Sequence, residues 1–328
     1  MATPFDYVTQ SIWMSMGVLT LVGNSMLLLT IFYHPAFRLR SEYIVLAGLA
    51  CADAVGHGLA TLLDSFMQLF LTDELLKMRL TKWQLSLLPN MIGFNVGMHI
   101  AFTMLAAISF DRLLLLTKPM WYISQGAKLG WLIVGVVYGH GVALGVIEVM
   151  TGYIYLNDKP YDATNVTYIY SFELIVPELY VYDFTVTMLS VTASVLLYAA
   201  VLGIMVHRNR KVAAGTATNE LPQAAANLQR MMTIKTAYST LVTFMTIVIP
   251  FAIVFVIFEL EGTKYVVAVL ATMPAFNPLV NVWLFLFRHP TMYTGFKAAV
   301  KRKTMPLNLK DWQVHTTTTV AVQLTAIK

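Results

Sequence analysis

The sequence places an acid and a base side by side at the end of a long apolar run. Residues 109–119 read SFDRLLLLTKP, so that Asp111 and Arg112 are adjacent and are followed by Lys118 and Pro119. A charge is costly to remove from water unless a partner compensates it. The pair therefore indicates a group that is kept in apolar surroundings for a purpose.

Three more ionisable residues lie inside an earlier apolar run. His57 and Asp64 follow Asp53 at offsets of 4 and 11 residues. At about 100° per residue, these offsets place all three side chains on one face of a helix. Such a face is expected to point into a bundle, where the groups could form a hydrated polar core with a switching role. They could equally serve only as hydrogen-bonding contacts between helices.

Helices that cross a membrane are the elements that must position these residues. The chain is 58% hydrophobic and 12% charged, whereas soluble domains are about 25% charged. Its apolar runs are continuous, which favours helices over strands, and each exceeds the roughly 20 residues that cross a bilayer. We therefore predict an all-α membrane protein, a seven-transmembrane helix bundle with spans at 11–33, 43–70, 84–117, 129–153, 178–206, 235–258 and 265–287.

Lysine and arginine are distributed unequally between the two sides of this bundle. The segments on one side carry 17 of them, and the segments on the other side carry 5. Because cytoplasmic loops hold the excess of positive charge, we predict a multi-pass plasma-membrane protein with an extracellular N-terminus and a cytoplasmic C-terminus. The basic residues are divided among several short segments, which argues against nucleic-acid binding despite a pI of about 9.1.

A short amphipathic helix is expected to follow the bundle at the membrane surface. In that helix Met292, Tyr293 and Phe296 would face lipid, while lysines would meet acidic headgroups. Asn165 begins an Asn-Val-Thr sequon in a predicted outer loop and is the candidate glycosylation site. The predicted regions are an extracellular N-terminus at 1–10, the bundle at 11–287, the amphipathic helix 8 at 288–303 and a disordered cytoplasmic tail at 304–328.

Short motifs occur one in each predicted span. They are Gly23-Asn24, the LACAD stretch that ends at Asp53, Asp111-Arg112-Leu113, Trp131, Tyr198, Phe244 with Pro250, and Asn277-Pro278-Leu279-Val280-Asn281. In their order these motifs resemble those of the rhodopsin-like G-protein-coupled receptors, over about residues 11–302. The Asp-Arg-Leu sequence and the Pro-Met-Trp-Tyr sequence that follows it are also similar to the third-helix boundary of nematode serpentine chemoreceptors.

The resemblance implies a role for the charge pair. In such receptors the acid, here Asp111, restrains the arginine, here Arg112, at the cytoplasmic end of the third helix. On activation the sixth helix moves outward, and the arginine meets a heterotrimeric G protein. The alternative is an arginine that extends to lipid headgroups. The resemblance further implies coupling or switch roles for Pro119, Tyr122, Tyr198, Asn277, Pro278 and Asn281, and a polar core of Asn24, Asp53 and His57.

Several positions depart from the family's pattern. Leu113 replaces the tyrosine of the third-helix motif, and Val248 replaces the sixth-helix tryptophan. Asn281 replaces the tyrosine of the seventh-helix motif. Arg230 lies in the region where many members place an acidic partner for the third-helix arginine, so that partner is expected to be absent.

A ligand site is expected in the outer half of the bundle. Ala271 stands where opsins carry the retinal lysine, and Phe94 stands where amine receptors carry an aspartate, so both ligands are disfavoured. Aromatic and methionine side chains with a few polar groups suit a small, partly apolar molecule, while acidic outer loops leave a peptide open. The candidate lining residues, any of which could instead be ordinary packing, are Asp64, Phe94, Asn95, Met98, His99, Glu148, Asp183, Phe251 and Phe255.

Other classes of function compete with a receptor. Asp53, His57 and Asp64 could form the ion or proton path of a channel or transporter. A membrane enzyme is disfavoured, because the sequence has no HExxH, no recognisable catalytic pair of aspartates and no triad-like set. One cysteine, Cys51, permits neither an intrachain disulfide nor a cysteine metal cluster, and we predict no cofactor. A chemosensory receptor with a G protein and the lipid bilayer as partners is favoured, and a neuropeptide receptor is the alternative.

Overall fold

Long helices make up nearly all of the structure, a computed structural model that describes residues 4–70, 81–157, 177–213, 245, 249, 276–283, 285–286 and 290–301. Five helices in these ranges are long and apolar enough to cross a membrane. We call them the first to fifth membrane helices: Tyr7–Tyr33, Ser41–Phe70, Pro89–Thr117, Ala127–Leu156 and Thr185–His207. The described residues thus form a bundle of membrane-length helices, as their hydropathy predicts.

The helix bounds agree closely with the predicted spans. Residues 276–283 and 285–286 are helical and belong to the predicted seventh span, whereas the predicted sixth span contributes only residues 245 and 249 to the described part. The helices are Pro4–Tyr33, Pro35–Arg38, Ser41–Ala52, a π-helical segment Asp53–Leu59, Ala60–Phe70, Lys82–Ser86, Pro89–Thr117, Pro119–Gln125, Ala127–Leu156, Pro177–Ala213 and Pro290–Val300.

The third membrane helix begins later than its apolar run does. Residues Lys82–Ser86 form a separate short helix, which Thr81 and Gln84 start with a reciprocal capping box. Pro89 then occupies the first turn of the long helix, where its missing N–H would have no helical partner. The predicted span from residue 84 therefore contains two helices, and its membrane-crossing part starts at Pro89.

The second membrane helix lies at the centre of the described bundle. In its most apolar 18-residue stretch 83% of the residues are buried, compared with 11% in the fourth helix. At Gly56 it approaches the third helix so closely that a Cβ would lie 2.6 Å from the Cα of Gly97. Glycine is needed there because no side chain fits between the two backbones.

Two apolar clusters hold the helices together. The first joins the second, third, fourth and fifth membrane helices around Met104. The second lies around Ile31, where the end of the first membrane helix and the start of the second meet the predicted seventh span and the helix Pro290–Val300. The members of the first cluster are Val45, Leu49, Ala52, Ile100, Ala101, Phe102, Met104, Leu105, Ile108, Val137 and Val191. Those of the second are Leu27, Ile31, Phe37, Tyr43, Leu46, Ala47, Ala50, Val282, Leu286 and Met292.

The helix Pro290–Val300 packs against the bundle and corrects one prediction. Met292 is 1% exposed inside the second cluster, and Phe296 is half-buried against it, so these side chains face protein and not lipid. The backbone carbonyl of Gly295 lies 2.8 Å from the Nε2 atom of His34, which ties the helix to the end of the first membrane helix. The apolar face of a helix can be buried against protein or against lipid, and the sequence pattern alone does not show which of the two it contacts.

Candidate functional site

The charge pair lies where three elements meet at one end of the bundle. These are the end of the third membrane helix, the start of the second, and the short helix Pro119–Gln125. Pro119 disfavours helical backbone at the preceding residue, and the third helix ends at Thr117. Gly126 has a φ of +52°, a conformation that favours glycine, and it joins the short helix to the fourth membrane helix.

Asp111 is buried and is held by two hydroxyl groups. The Oγ of Ser41 donates to its Oδ1 at 2.8 Å, and the hydroxyl of Tyr122 lies 2.9 Å from each of its carboxylate oxygens. Burial raises the pKa of Tyr122, and the neighbouring Asp111 carboxylate raises it further. The phenol therefore stays protonated and remains a hydrogen-bond donor. Asp111 fastens the third helix to the second helix and to the short helix.

Arg112 pairs with a different acid, Glu42 in the first turn of the second membrane helix. Its Nη1 lies 3.0 Å from Oε2 of Glu42, whose side chain is 2% exposed. The other oxygen of Glu42, Oε1, lies 2.6 Å from Nη2 of Arg40. One buried carboxylate thus bridges two guanidinium groups, and the second of them, on Arg40, is 39% exposed.

The resemblance implies that Asp111 restrains Arg112, whereas the two side chains make their hydrogen bonds with different partners. Adjacent residues on a helix point about 100° apart and do not face one another. Asp111 accordingly turns to Ser41 and Tyr122, and Arg112 turns to Glu42. The acid that accepts a hydrogen bond from Arg112 is therefore on the second helix.

Glu42 and Ser41 are the site residues that the sequence reasoning missed. Residues 38–42 read RLRSE and place one acid two and four residues after two arginines, at the start of an apolar run. An acid that is about to be buried beside cations is a signal for an ion pair, since a buried carboxylate needs compensation. The sequence does not reveal that its second cation lies 70 residues away.

The predicted polar core is buried but consists of local contacts. Asp53 and His57 are 3% and 5% exposed, and the Nδ1 of His57 lies 3.3 Å from Oδ1 of Asp53. They lie in the π-helical segment Asp53–Leu59, a geometry that is frequent at functional sites. The side-chain amide of Asn24 donates to the carbonyl of Thr20 in its own helix.

The remaining predicted switch residues are also in the interior. Tyr198, Asn277 and Asn281 are at most 5% exposed, and Pro278 is buried. Near Tyr198 the fifth helix contacts the third, because the hydroxyl groups of Ser194 and Ser109 lie 2.7 Å apart. The predicted residues of the third, fifth and seventh helices therefore face the inside of the bundle.

A comparison with known protein families decides the identity of this arrangement. The model of the seven-transmembrane receptors of the rhodopsin family matches residues 23–284, which is most of the chain and includes the charge cluster of Arg40, Glu42, Asp111 and Arg112. The chain belongs to the rhodopsin family of seven-transmembrane receptors. It is therefore a multi-pass membrane receptor, and its partner classes are a ligand, a G protein and the lipid bilayer. A search of curated proteins found no match.

The end of this rhodopsin-family receptor that lies opposite Asp111 and Arg112 contains a second polar cluster. Asp64 is 2% exposed, and its carboxylate accepts hydrogen bonds from Gln68 at 2.8 Å and from Asn90 at 3.0 Å. Gln68 in turn contacts the amide of Gln10 on the first helix. Asp64 therefore links three helices in this conformation.

The other candidate ligand residues are distributed over the third and fourth helices of the receptor. Phe94, Asn95, Met98 and Glu148 are half-buried. His99 is buried, and its Nε2 lies 3.2 Å from Nδ1 of His140 at the contact with the fourth helix. Residues outside the described part are Asn165, Arg230, Pro250, Phe251 and Phe255, together with the side chain of Asp183.

Proposed function

We propose that the receptor binds an extracellular ligand and activates a heterotrimeric G protein through Arg112 and an outward movement of the sixth helix. In this proposal the N-terminus is extracellular, the C-terminus is cytoplasmic, and Asn165 is available for glycosylation. The main support for this proposal is the ion pair between Arg112 and Glu42. It holds a partly buried cation through a contact that a partner could replace, at the end of the bundle where a G protein would bind.

The surface beside Arg112 supports this role. In the short helix Pro119–Gln125, Tyr122 is buried against Asp111, while its neighbours Trp121 and Ile123 are 46% and 48% exposed. Met120 is exposed to the same extent as Trp121. Exposed apolar side chains mark surfaces that contact a protein or a membrane, and a G protein is the partner that we propose for this one.

A small-molecule chemosensory cue is the favoured ligand. Phe94 and Met98 are half-buried on the outer half of the third helix, and aromatic and methionine side chains suit a partly apolar molecule. Asp64 is already hydrogen-bonded to two amides, so a cationic peptide would have to compete with them. A neuropeptide is the alternative ligand.

A channel or transporter gains less support from the described residues. Asp53 and His57 contact each other, whereas Asp64 contacts Gln68 and Asn90 nearer the outer end of the same helix. At the level of Asp53 and His57, the contact of Gly56 with the third helix leaves no space for a side chain between these two helices. This packing favours two separate polar clusters over a continuous ion path.

A ligand screen tests the proposal. Cells that express the full chain together with a promiscuous G protein are exposed to a panel of odorants and a panel of peptides, and calcium release is recorded. A response that requires both the receptor and the G protein supports the proposal. An evoked current or an uptake that persists without the G protein would establish a channel or transporter instead.

A further inference from the structure

We propose that Glu42 is the residue that positions Arg112 in the resting receptor, and that Arg40 allows this contact to be released. The inference rests on the proposed function for its signalling part. Its geometric part, the coupling between Glu42 and Arg112, does not depend on a G protein.

The contacts of Glu42 make it suited to this role. It lies in the first turn of the second membrane helix, 70 residues from Arg112, so the ion pair joins the ends of two long helices. Its two carboxylate oxygens are divided between the two cations, with Oε2 toward Arg112 and Oε1 toward Arg40. Arg40 thereby fixes the orientation in which the carboxylate meets Arg112.

The second cation on Glu42 affects the cost of releasing Arg112. Glu42 is 2% exposed and would be strongly disfavoured as an uncompensated charge. If Arg112 turns to a partner, Arg40 remains at Oε1 and continues to compensate the carboxylate. The presence of Arg40 thus lowers the cost of releasing Arg112, and it makes the restraint reversible.

Arg112 also keeps part of its hydrogen-bonding capacity unused. Its Nε is buried and has no hydrogen-bond acceptor within the portion of the chain that the structure describes. A buried donor without an acceptor is destabilising. A partner that supplies a carbonyl or carboxylate oxygen would satisfy this donor, which favours exchange of the intramolecular contact for an intermolecular one.

Asp111 is less suited to restrain Arg112 because its oxygens already accept hydrogen bonds from Ser41 and Tyr122. The sequence also has Arg230 in the region where many family members carry an acid. Glu42 on the second helix therefore takes the place of a sixth-helix partner in our proposal.

A double-mutant cycle tests the positioning contact. The full-length wild type, Glu42→Gln, Arg112→Gln and the double variant are purified in detergent, and their thermal unfolding midpoints are measured. If the two residues are coupled, the thermal unfolding midpoint of the double variant will be no lower than that of the less stable single variant. If the midpoint of the double variant falls by the sum of the decreases in the two single variants, the contact is overturned.

Ligand-independent nucleotide exchange tests the release. Membranes that contain each variant are mixed with a purified heterotrimeric G protein and a labelled GTP analogue. We expect Glu42→Gln to raise the basal exchange rate severalfold, Glu42→Asp to remain nearer the wild type, and Arg40→Gln to lower the rate. Arg38→Gln is the matched control, because it removes the same charge from an exposed residue two positions away.

The outcomes separate the two proposals. Wild-type rates in Glu42→Gln, with a wild-type receptor that does activate the G protein, would overturn the restraint. A raised rate in both Glu42→Gln and Arg40→Gln would overturn the release role of Arg40. No exchange by the wild type or any variant would overturn the proposed function and the switching role, while coupling in the cycle would still support the positioning of Arg112 by Glu42.

Discussion

At the scale of single residues, the charge cluster works because each group has a separate partner. Asp111 accepts hydrogen bonds from hydroxyl groups, and Arg112 pairs with a carboxylate on another helix. A buried hydrogen-bonded carboxylate is a fixed structural tie, whereas an ion pair with a shared carboxylate can be exchanged. In the proposed mechanism, the structural tie and the signalling contact therefore belong to neighbouring residues that point in different directions.

Arg112→Ala should abolish ligand-stimulated G-protein signalling and leave surface expression largely intact. The variant removes the group that would meet the G protein, but Glu42 keeps its ion pair with Arg40. A calcium reporter and antibody labelling of intact cells measure the two quantities, with Arg38→Ala as the control. Unchanged signalling by Arg112→Ala at equal surface levels would show that the arginine is only an interfacial anchor.

Tyr122→Phe should destabilise the receptor by about 1–3 kcal/mol at neutral pH, because a buried carboxylate loses a donor. The substitution should also change how the stability of the receptor falls as the pH becomes alkaline. The pKa of Tyr122 is raised in the folded state above its ordinary value near 10. Its contribution is thus complete below about pH 10 and is lost as the pH rises further.

Thermal unfolding of purified wild type and Tyr122→Phe between pH 8 and about pH 11 measures this difference. The wild type should lose stability more steeply above pH 10, and the gap between the two proteins should narrow. Curves that stay parallel over the whole range would mean that the Tyr122 phenol ionises equally easily in the folded and unfolded receptor.

At the scale of elements, hydropathy predicts the five described membrane helices to within a few residues, because each is one continuous apolar run. It does not predict the π-helical segment Asp53–Leu59, which depends on how the second helix packs. It also does not predict that Met292 faces protein. Local sequence patterns do not predict the ion pair of Glu42 with Arg112, since it joins the ends of two different helices.

The contact between Gly56 and Gly97 is an element-scale feature that mutagenesis can test. Gly97→Ala would place a methyl group against the backbone of the second helix, which cannot move aside as a flexible side chain could. Overpacking of this kind costs about 1–3 kcal/mol, so the thermal unfolding midpoint should fall. Gly139→Ala is the matched control on the fourth helix, where an added Cβ has no neighbour within 4 Å in the described structure.

The control variant should unfold at the wild-type temperature or slightly above it, because alanine favours helices more than glycine does. Equal midpoints for Gly97→Ala and Gly139→Ala would show that the second and third helices can separate at this level without cost. That result would also weaken the argument against a continuous polar path along the second helix.

At the scale of the whole molecule, the receptor's function depends on its orientation in the membrane. The cluster of Arg40, Glu42 and Arg112 can meet a G protein only if the end of the bundle that carries it is cytoplasmic. The excess of lysine and arginine on that side, 17 compared with 5, predicts this orientation. An odd number of spans then places the two termini on opposite sides of the membrane.

Epitope tags at the two ends test this topology. We expect antibody to label an N-terminal tag on intact cells and a C-terminal tag only after permeabilisation, because the charge bias places the C-terminus inside. A tag inserted after Arg208, in the predicted third inner loop, is the internal control and should behave like the C-terminal tag. Labelling of both termini on intact cells would require an even number of spans, and it would remove Arg112 from the side on which a G protein acts.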